Sequence, residues 1–189
     1  MSKQQVVLVR HGETEWSRDG RHTGRTDIPL DEAGRAQASA LRPVLSRRRF
    51  ELVLTSPLLR ARETCRLAGY GGRAEVRPDL AEWDYGRYDG MTSAQIKASR
   101  PDWSLWRDGG PDGEDPADVA RRVDRVIVEI RAVAGDVLLF AHGHVLRVLA
   151  ARWLGEPAAG GRFYAFEAAA RSVLAYEHGQ PVLQRWNEK

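Results

Sequence analysis

Three short apolar runs stand out along the chain: Val6-Val7-Leu8-Val9, Leu52-Val53-Leu54-Thr55 and Val137-Leu138-Leu139-Phe140. None alternates with polar residues. Each therefore predicts a strand covered on both faces, the kind found in parallel sheets. Residues 74–77, 172–176 and 181–184 predict weaker strands.

Between these runs the apolar positions take helical spacing. Asp31 is placed as the N-cap of a helix reaching about residue 48, with Ala36, Leu41 and Leu45 on one side. Ser56 and Pro57 predict the cap and first turn of a helix to residue 68, stopped by Gly69, Gly71 and Gly72. The clearest amphipathic helix spans 114–133, where Val119, Val123, Val126 or Ile127, and Ile130 recur. Another spans 144–154 and ends at Gly155 and Pro157. Gly109-Gly110-Pro111-Asp112-Gly113 reads as a loop, not a domain linker. Strands and helices alternate, a helical stretch interrupts them, and a strand–helix–strand unit closes the chain. That order predicts an α/β fold, a mainly parallel sheet with helices on both faces.

In open sheets of this kind chemistry lies beyond the carboxyl ends of the strands. After the first strand come Arg10-His11-Gly12-Glu13-Thr14. After the second come Ser56-Pro57-Leu58-Leu59-Arg60, and after the third strong run Ala141-His142-Gly143-His144. Three strands thus bring two histidines and two arginines, Arg10, His11, Arg60 and His142, toward one edge. Arginine forks match phosphate oxygens and stay charged. A neutral imidazole among them could attack phosphorus and carry the phosphoryl group covalently. The arginines and the second histidine would then stabilise charge on the equatorial oxygens. Gly12 and Gly143, lacking side chains, would let a phosphate approach the backbone N–H groups. His142-Gly143-His144 could instead be a metal pair, but no Asp, Glu or Cys completes it locally. No metal is therefore expected.

Composition narrows the classes. Lys and Arg number 29 against 26 Asp and Glu, a net +3 over 189 residues, and the arginines are scattered. A nucleic-acid partner is not expected, because no concentrated basic stripe or binding module is present. Discrete anions suit this charge pattern better. Cys65 is the only cysteine, which excludes an intramolecular disulfide and a cysteine-based zinc site. No stretch is long enough for a signal peptide or membrane span, so no membrane partner and a reducing cytoplasmic location are expected. A Gly-x-Gly-x-x-Ala pattern at Gly69–Ala74 follows a helix instead of a strand, the wrong context for dinucleotide binding. No phosphate-binding Gly-rich loop of the nucleotidase type occurs, and no cofactor is expected.

Leu8-Val9-Arg10-His11-Gly12-Glu13-Thr14 resembles the signature of the histidine phosphatase superfamily, which contains cofactor-dependent phosphoglycerate mutases and many phosphatases. The similarity continues through Trp16-Ser17, Thr23-Gly24, Asp27-Ile28-Pro29-Leu30 and Gly34. Ser56-Pro57-Leu58-x-Arg60-Ala61-x-x-Thr64 resembles the second motif. Leu80-x-Glu82 with Tyr85-Gly86 and Asp89-Gly90 resembles the third, and His142-Gly143 matches the last. All four occur in family order and cover most of the chain.

The resemblance implies a phosphoglycerate mutase-like three-layer fold, one domain over 1–189 with a small helical cap at about 83–113. It implies His11 as nucleophile, Arg10, Arg60 and His142 as the phosphate pocket, and Glu82 as proton donor. Ser17, Thr23, Gly24, Tyr85 and Gly143 would contact substrate. Ser17 departs from the Asn common there, and a hydroxyl can donate only once. His144 stands where mutases usually carry Asn and takes no role beyond a backbone contact. His22 and His178 read as surface residues. A closer similarity, in Glu82-Trp83-Asp84-Tyr85-Gly86-x-Tyr88-Asp89-Gly90-Met91-Thr92 and Leu105-Trp106-Arg107-Asp108-Gly109, is to the fungal sedoheptulose-1,7-bisphosphatase branch.

That branch implies phosphorylated sugars as the small-molecule partner, with Arg107 or another cap arginine on a distal phosphate. Trp16, Trp103 and Trp106 would then line the pocket or pack the cap on the core. The short 91–112 segment and short end after the last strand favour hydrolysis over the mutase reaction. The alternatives are a phosphoglycerate mutase and an inactive phospho-ligand or protein-binding module. A homodimer is compatible with the sequence.

Overall fold

The unbroken apolar runs become the centre of one sheet. The structure, a computed structural model, describes residues 4–189. In chain order its elements are β1 (Val6–Arg10), α1 (Glu15–Arg18), α2 (Glu32–Ala40), α3 (Arg42–Leu45), β2 (Leu52–Thr55), α4 (Leu59–Leu67), β3 (Glu75–Val76), α5 (Ser93–Ser99), α6 (Leu105–Asp108), α7 (Pro116–Arg131), β4 (Val137–Ala141), α8 (Gly143–Trp153), β5 (Arg171–Glu177) and β6 (Gln180–Glu188). The strand order is β3-β2-β4-β1-β5-β6. β3, β2, β4 and β1 run parallel, β5 pairs antiparallel with β1, and β6 pairs antiparallel with β5.

Alternate residues of the same strands enter two separate cores. Val6, Leu8, Leu54, Val137, Leu139 and Leu174 pack with Val119, Val123, Ile127 and Ile130 of α7 and Leu146 and Leu149 of α8. Val7, Val9, Val53, Leu138, Phe140 and Val173 pack with Leu41, Leu45, Cys65 and Ala68 from the α2–α4 side. This two-sided burial is why the runs carry no polar alternation. The fold is a three-layer α/β/α arrangement.

Local chemistry sets the helix boundaries. Asp31 caps α2, its Oδ1 accepting from the Gly34 N–H at 2.7 Å. The expected single helix to residue 48 is interrupted, and a separate α3 begins at Arg42 with Pro43 in its first turn. Proline lacks an N–H and its ring opposes the preceding turn, so it starts helices better than it continues them. Ala36 is exposed, and Ala38 takes the buried position expected for it. α7 is capped by Asp115, whose Oδ1 accepts from the Asp118 N–H at 2.8 Å.

Ser56 does not cap α4. That helix starts at Leu59, whose N–H is taken by Asp27 Oδ1 at 2.7 Å. The weaker strands form as predicted, with β6 longer than expected.

Candidate active site

β1 and β4 are neighbours in register, Arg10 lying opposite Ala141. The helices that follow them cover opposite faces of the sheet. The crevice at their carboxyl ends is therefore a switch point, where α/β proteins place their ligands. His11 follows β1 and His142 follows β4, and their ring centroids are 5.1 Å apart. The His11 backbone is pinned to β4 by its N–H to the Ala141 carbonyl at 3.0 Å.

His11 is buried and its tautomer is set locally. Nδ1–H donates to the Gly12 carbonyl at 2.7 Å, which leaves the lone pair on Nε2. Burial, followed by the charges of Arg60 and Arg10, pushes its pKa well below the ordinary value of 6.5. The imidazole is thus held neutral, with a lone pair available on Nε2. His142 is also fully buried, and burial, then Arg60 and the other nearby cations, pushes it down in the same way. Its Nε2 lies 2.6 Å from Ser56 Oγ. Ser56 Oγ accepts from the Leu58 N–H at 3.2 Å, and we assign its own hydrogen to His142 Nε2. The ring proton then sits on Nδ1.

Arg60 and Arg10 are fixed by carbonyls, not by carboxylates. Arg60 donates to the carbonyls of Thr26, Thr23 and Gly24 at 3.1, 2.9 and 3.0 Å. Asp89 holds that loop from the other side, accepting from the Gly24 and Thr26 N–H groups at 2.7 and 3.1 Å. Arg10 donates to the Phe166 carbonyl. Burial lowers both guanidinium pKa values and Glu82 opposes it, but the groups remain cationic. Arg10 Nε, Arg60 Nε and His142 Nδ1 are buried without a hydrogen-bond partner among the described residues. A buried donor left unpaired costs about 1–3 kcal/mol. All three donors belong to residues that interact electrostatically with His11, and such donors suit the oxygens of a bound anion.

Glu82 is buried on the far side of the pocket. Oε1 accepts from the Trp83 and Val145 N–H groups, both at 2.9 Å, and Oε2 from the His144 N–H at 3.0 Å. The carboxyl thus docks on the N-terminal turn of α8, where the backbone dipoles favour it. Tyr85 Oη and His144 Nδ1 share a hydrogen bond of 2.6 Å. The cleft encloses about 180 Å³ and is lined by Arg10, His11, Ser17, Thr23, Glu82, Gly143 and by His22, Tyr85, His144, Arg147 and Phe166. A wider groove of about 890 Å³ along Arg42, Arg62 and Arg66 contains none of the three unpartnered donors, whereas the smaller cleft is lined by His11 and by Arg10, which carries one of them; Arg60 and His142 are fully buried outside its lining. The smaller cleft is the candidate site.

The family model for the histidine phosphatase superfamily (branch 1) matches residues 6–189. The chain belongs to that superfamily. An acid phosphatase of Mycobacterium tuberculosis is 40% identical over 178 residues, covering 92% of this chain and 87% of that one. Sedoheptulose 1,7-bisphosphatase of Saccharomyces cerevisiae is 37% identical, covering 79% and 67%. A solved open reading frame from Mycobacterium tuberculosis superposes with a TM-score of 0.94 at 38% identity, covering 98% of each chain. This chain is a histidine phosphatase.

Several expected contacts take a different form in this histidine phosphatase. The Gly12 N–H donates to Thr64 Oγ1 at 3.1 Å and is not free for phosphate. A side chain at Gly12 would lie 2.3 Å from the Gly34 carbonyl, so glycine is required there by packing. Gly143 does line the cleft, where an added Cβ would press the Arg10 guanidinium at 3.3 Å. Ser17 lines the cleft too, but its hydroxyl donates to the Thr14 carbonyl at 3.0 Å. Gly24 is buried behind the cleft, its N–H held by Asp89 and its carbonyl by Arg60. Thr23 lines the cleft, with its hydroxyl on the Arg21 carbonyl at 3.2 Å.

Arg107 is turned away. It pairs with Asp108 at 2.8 Å and also donates to the Asp102 carbonyl. Trp103 is buried with Nε1–H on the Gly109 carbonyl, and Trp16 packs on Gly90, so packing explains both. Trp106 lies under Arg147, the guanidinium 4.6 Å from the ring centroid. His22, read as a surface residue, lines the cleft, whereas His178 is exposed in the β5–β6 turn. The His144 backbone contact forms, on Glu82, and its ring also faces the cleft. Among the described residues no group of three or more His, Cys, Asp or Glu could hold a metal ion. None of the described helices is long and apolar enough to cross a membrane.

The neutral histidines couple stability to pH. Burial depresses the folded pKa of His11, His142 and His144 well below 6.5, near which the unfolded chain titrates. The unfolded state binds more protons below that pH. Stability should be unaffected by these groups above 6.5 and fall as pH drops below it, by up to about 1.4 kcal/mol per pH unit for each imidazole. Urea unfolding at pH 7.5, 6.5 and 5.5 checks this. An unchanged midpoint at 5.5 would contradict three buried neutral rings.

Proposed function

We propose that this chain hydrolyses phosphate monoesters of sugars or related small metabolites through a phosphohistidine on His11 Nε2. The observation that carries the reading is the trio of buried, unpartnered donors on Arg10, Arg60 and His142, the residues whose charges act on His11 or whose ring lies beside it. The Nε2 lone pair attacks phosphorus as the P–O bond to the sugar breaks. Glu82 Oε2, which accepts only one N–H bond, gives its proton to the leaving alkoxide. A water then attacks the phosphohistidine, Glu82 takes back a proton, and the P–N bond breaks to release phosphate. One carboxyl serves as acid and then as base. The neutral His11 fits activity at mildly acidic pH, as the name of the mycobacterial relative suggests.

Residues 83–113 act in this reading as a cap on one domain spanning 1–189. The segment supplies Tyr85 to the cleft and Asp89 to the loop behind Arg60. Cys65, buried and pushed up to about 12 by that burial, suits a reducing cytoplasm but no chemistry.

A substituent of the substrate beyond the phosphoryl group would meet Arg147 in place of Arg107. Arg147 donates to the Gly161 and Arg162 carbonyls at 3.0 and 3.1 Å and has no carboxylate in ion-pair range among the described residues. Its charge is therefore available to a second anionic group. The bisphosphatase and glucosyl-3-phosphoglycerate phosphatase names of two relatives describe substrates with such a group.

A panel of sugar mono- and bisphosphates, assayed for phosphate release with EDTA present, tests the reading. Arg147→Met should raise KM about tenfold or more for substrates with a second anion, and leave p-nitrophenyl phosphate within about threefold. No hydrolysis of any sugar phosphate would overturn the proposal. Isomerisation of phosphoglycerate with little release would assign the mutase reaction instead.

A further inference from the structure

Glu82 lies in a loop, just past the 3₁₀ turn Pro78–Leu80. A loop carboxyl needs outside support to meet the leaving oxygen, since an error of about 1 Å in position can cost about 100-fold in rate. Beyond the three N–H bonds on the carboxyl itself, support for the loop comes from a nearly buried ion pair that does not touch the cleft. Arg122 of α7 donates from Nε and Nη2 to the two carboxylate oxygens of Glu114 at 2.7 and 3.0 Å. Its Nη1 donates to the carbonyls of Asp79 and Ala81, both at 2.7 Å. Glu114 Oε2 also accepts from the Asp84 N–H at 2.9 Å, and the Glu114 carbonyl accepts from Trp83 Nε1–H at 2.8 Å.

The chain on both sides of Glu82 therefore ends on this one pair. Ion pairs kept only for stability can often be replaced by apolar residues without loss. Here the remaining donors and acceptors of the pair reach loop backbone, which a pair acting only on itself would not need.

We propose that Arg122 and Glu114 are positioning residues for the general acid. They fix loop 79–84 so that the Glu82 carboxyl stays docked on the first turn of α8 and faces the leaving oxygen. The proposal rests on the role given to Glu82 above. Loosening the loop costs proton delivery and leaves the phosphoryl pocket intact, because that pocket is built from β1, β4, α4 and the loop under Asp89. Loss of the brace is therefore felt by leaving groups that need a proton and not by those that do not.

The test is the ratio of kcat on a sugar phosphate to kcat on p-nitrophenyl phosphate, measured with vanadate inhibition in the full chain. Arg122→Met should lower the ratio at least about tenfold while vanadate inhibition stays within about threefold. Arg122→Lys, which keeps the charge but not the fork, should fall between. Adding Arg122→Met to Glu82→Gln should not lower the ratio further, since the two act as one unit. An unchanged ratio in both Arg122 variants, with Glu82→Gln lowering it, overturns the brace and leaves the acid assignment standing. An unchanged ratio in Glu82→Gln as well overturns both. If Arg122→Met does not fold, Arg122→Lys and Glu114→Gln decide by the same ratio.

Discussion

His11→Ala is expected to lower phosphate release by about 10⁴-fold or more and to abolish the acid-labile protein label formed from a phosphorylated donor. The reason is the proton placement in the pocket. His11 Nδ1–H is held by the Gly12 carbonyl, so Nε2 carries the lone pair. His142 cannot substitute, because its Nε2 is occupied by Ser56. The Arg10, Arg60 and His142 donors do not depend on the His11 side chain for their positions, so the variant should still bind vanadate. The sheet should also survive, because the bond from the residue 11 N–H to the Ala141 carbonyl belongs to the backbone. Rapid quench with a labelled sugar phosphate, alongside a vanadate titration, reads both properties. Label retained in His11→Ala would remove this residue as the nucleophile. Loss of vanadate binding would show that the substitution had damaged the pocket and not only the chemistry.

The parts of this site that were legible in the sequence are those attached to regular structure. Arg10, His11 and His142 follow strands whose burial on both faces makes them unmistakable, and topology alone brings their ends together. Arg60 is the second residue of the helix that follows β2, five residues past the strand end at Thr55, close enough to be caught by the same argument. Glu82 sits in a loop with no periodicity, so only its motif pointed to it. The antiparallel pairing of β5 with β6 was not legible, because their turn is His178-Gly179, both at positive φ. An Asn-Gly pair would have signalled a hairpin there, and a histidine does not.

Arg147 was missed although a signal existed. It lies three residues after His144, on the same side of α8, and both reach the cleft. Arg107 attracted attention instead because it stands in a recognisable motif, but Asp108 beside it takes up its charge. Asp89 stood in a motif without a role, and Arg122 carried no signal at all. The bonds by which each holds a distant loop go to backbone groups, and such bonds leave no pattern of residue types.

Glu82→Gln is expected to slow hydrolysis of sugar phosphates by about 10²–10⁴-fold and that of p-nitrophenyl phosphate by less than about tenfold. A sugar alkoxide is a poor leaving group and requires a proton as the P–O bond breaks. Nitrophenolate departs without one. The substitution keeps the shape of the side chain and removes the transferable proton. It also tests the docking geometry. One amide oxygen can replace Oε1 and accept from the Trp83 and Val145 N–H groups. The amide nitrogen would then face the His144 N–H, donor against donor, where Oε2 now accepts. The loop should therefore lose one hydrogen bond, a loss of about 0.5–1.5 kcal/mol in stability, too small to account for the rate effect. The two consequences separate cleanly. A rate loss shared equally by both substrates would mean that the displaced loop, and not the missing proton, is responsible, and Glu82 would then be a structural cap of α8 and not the acid.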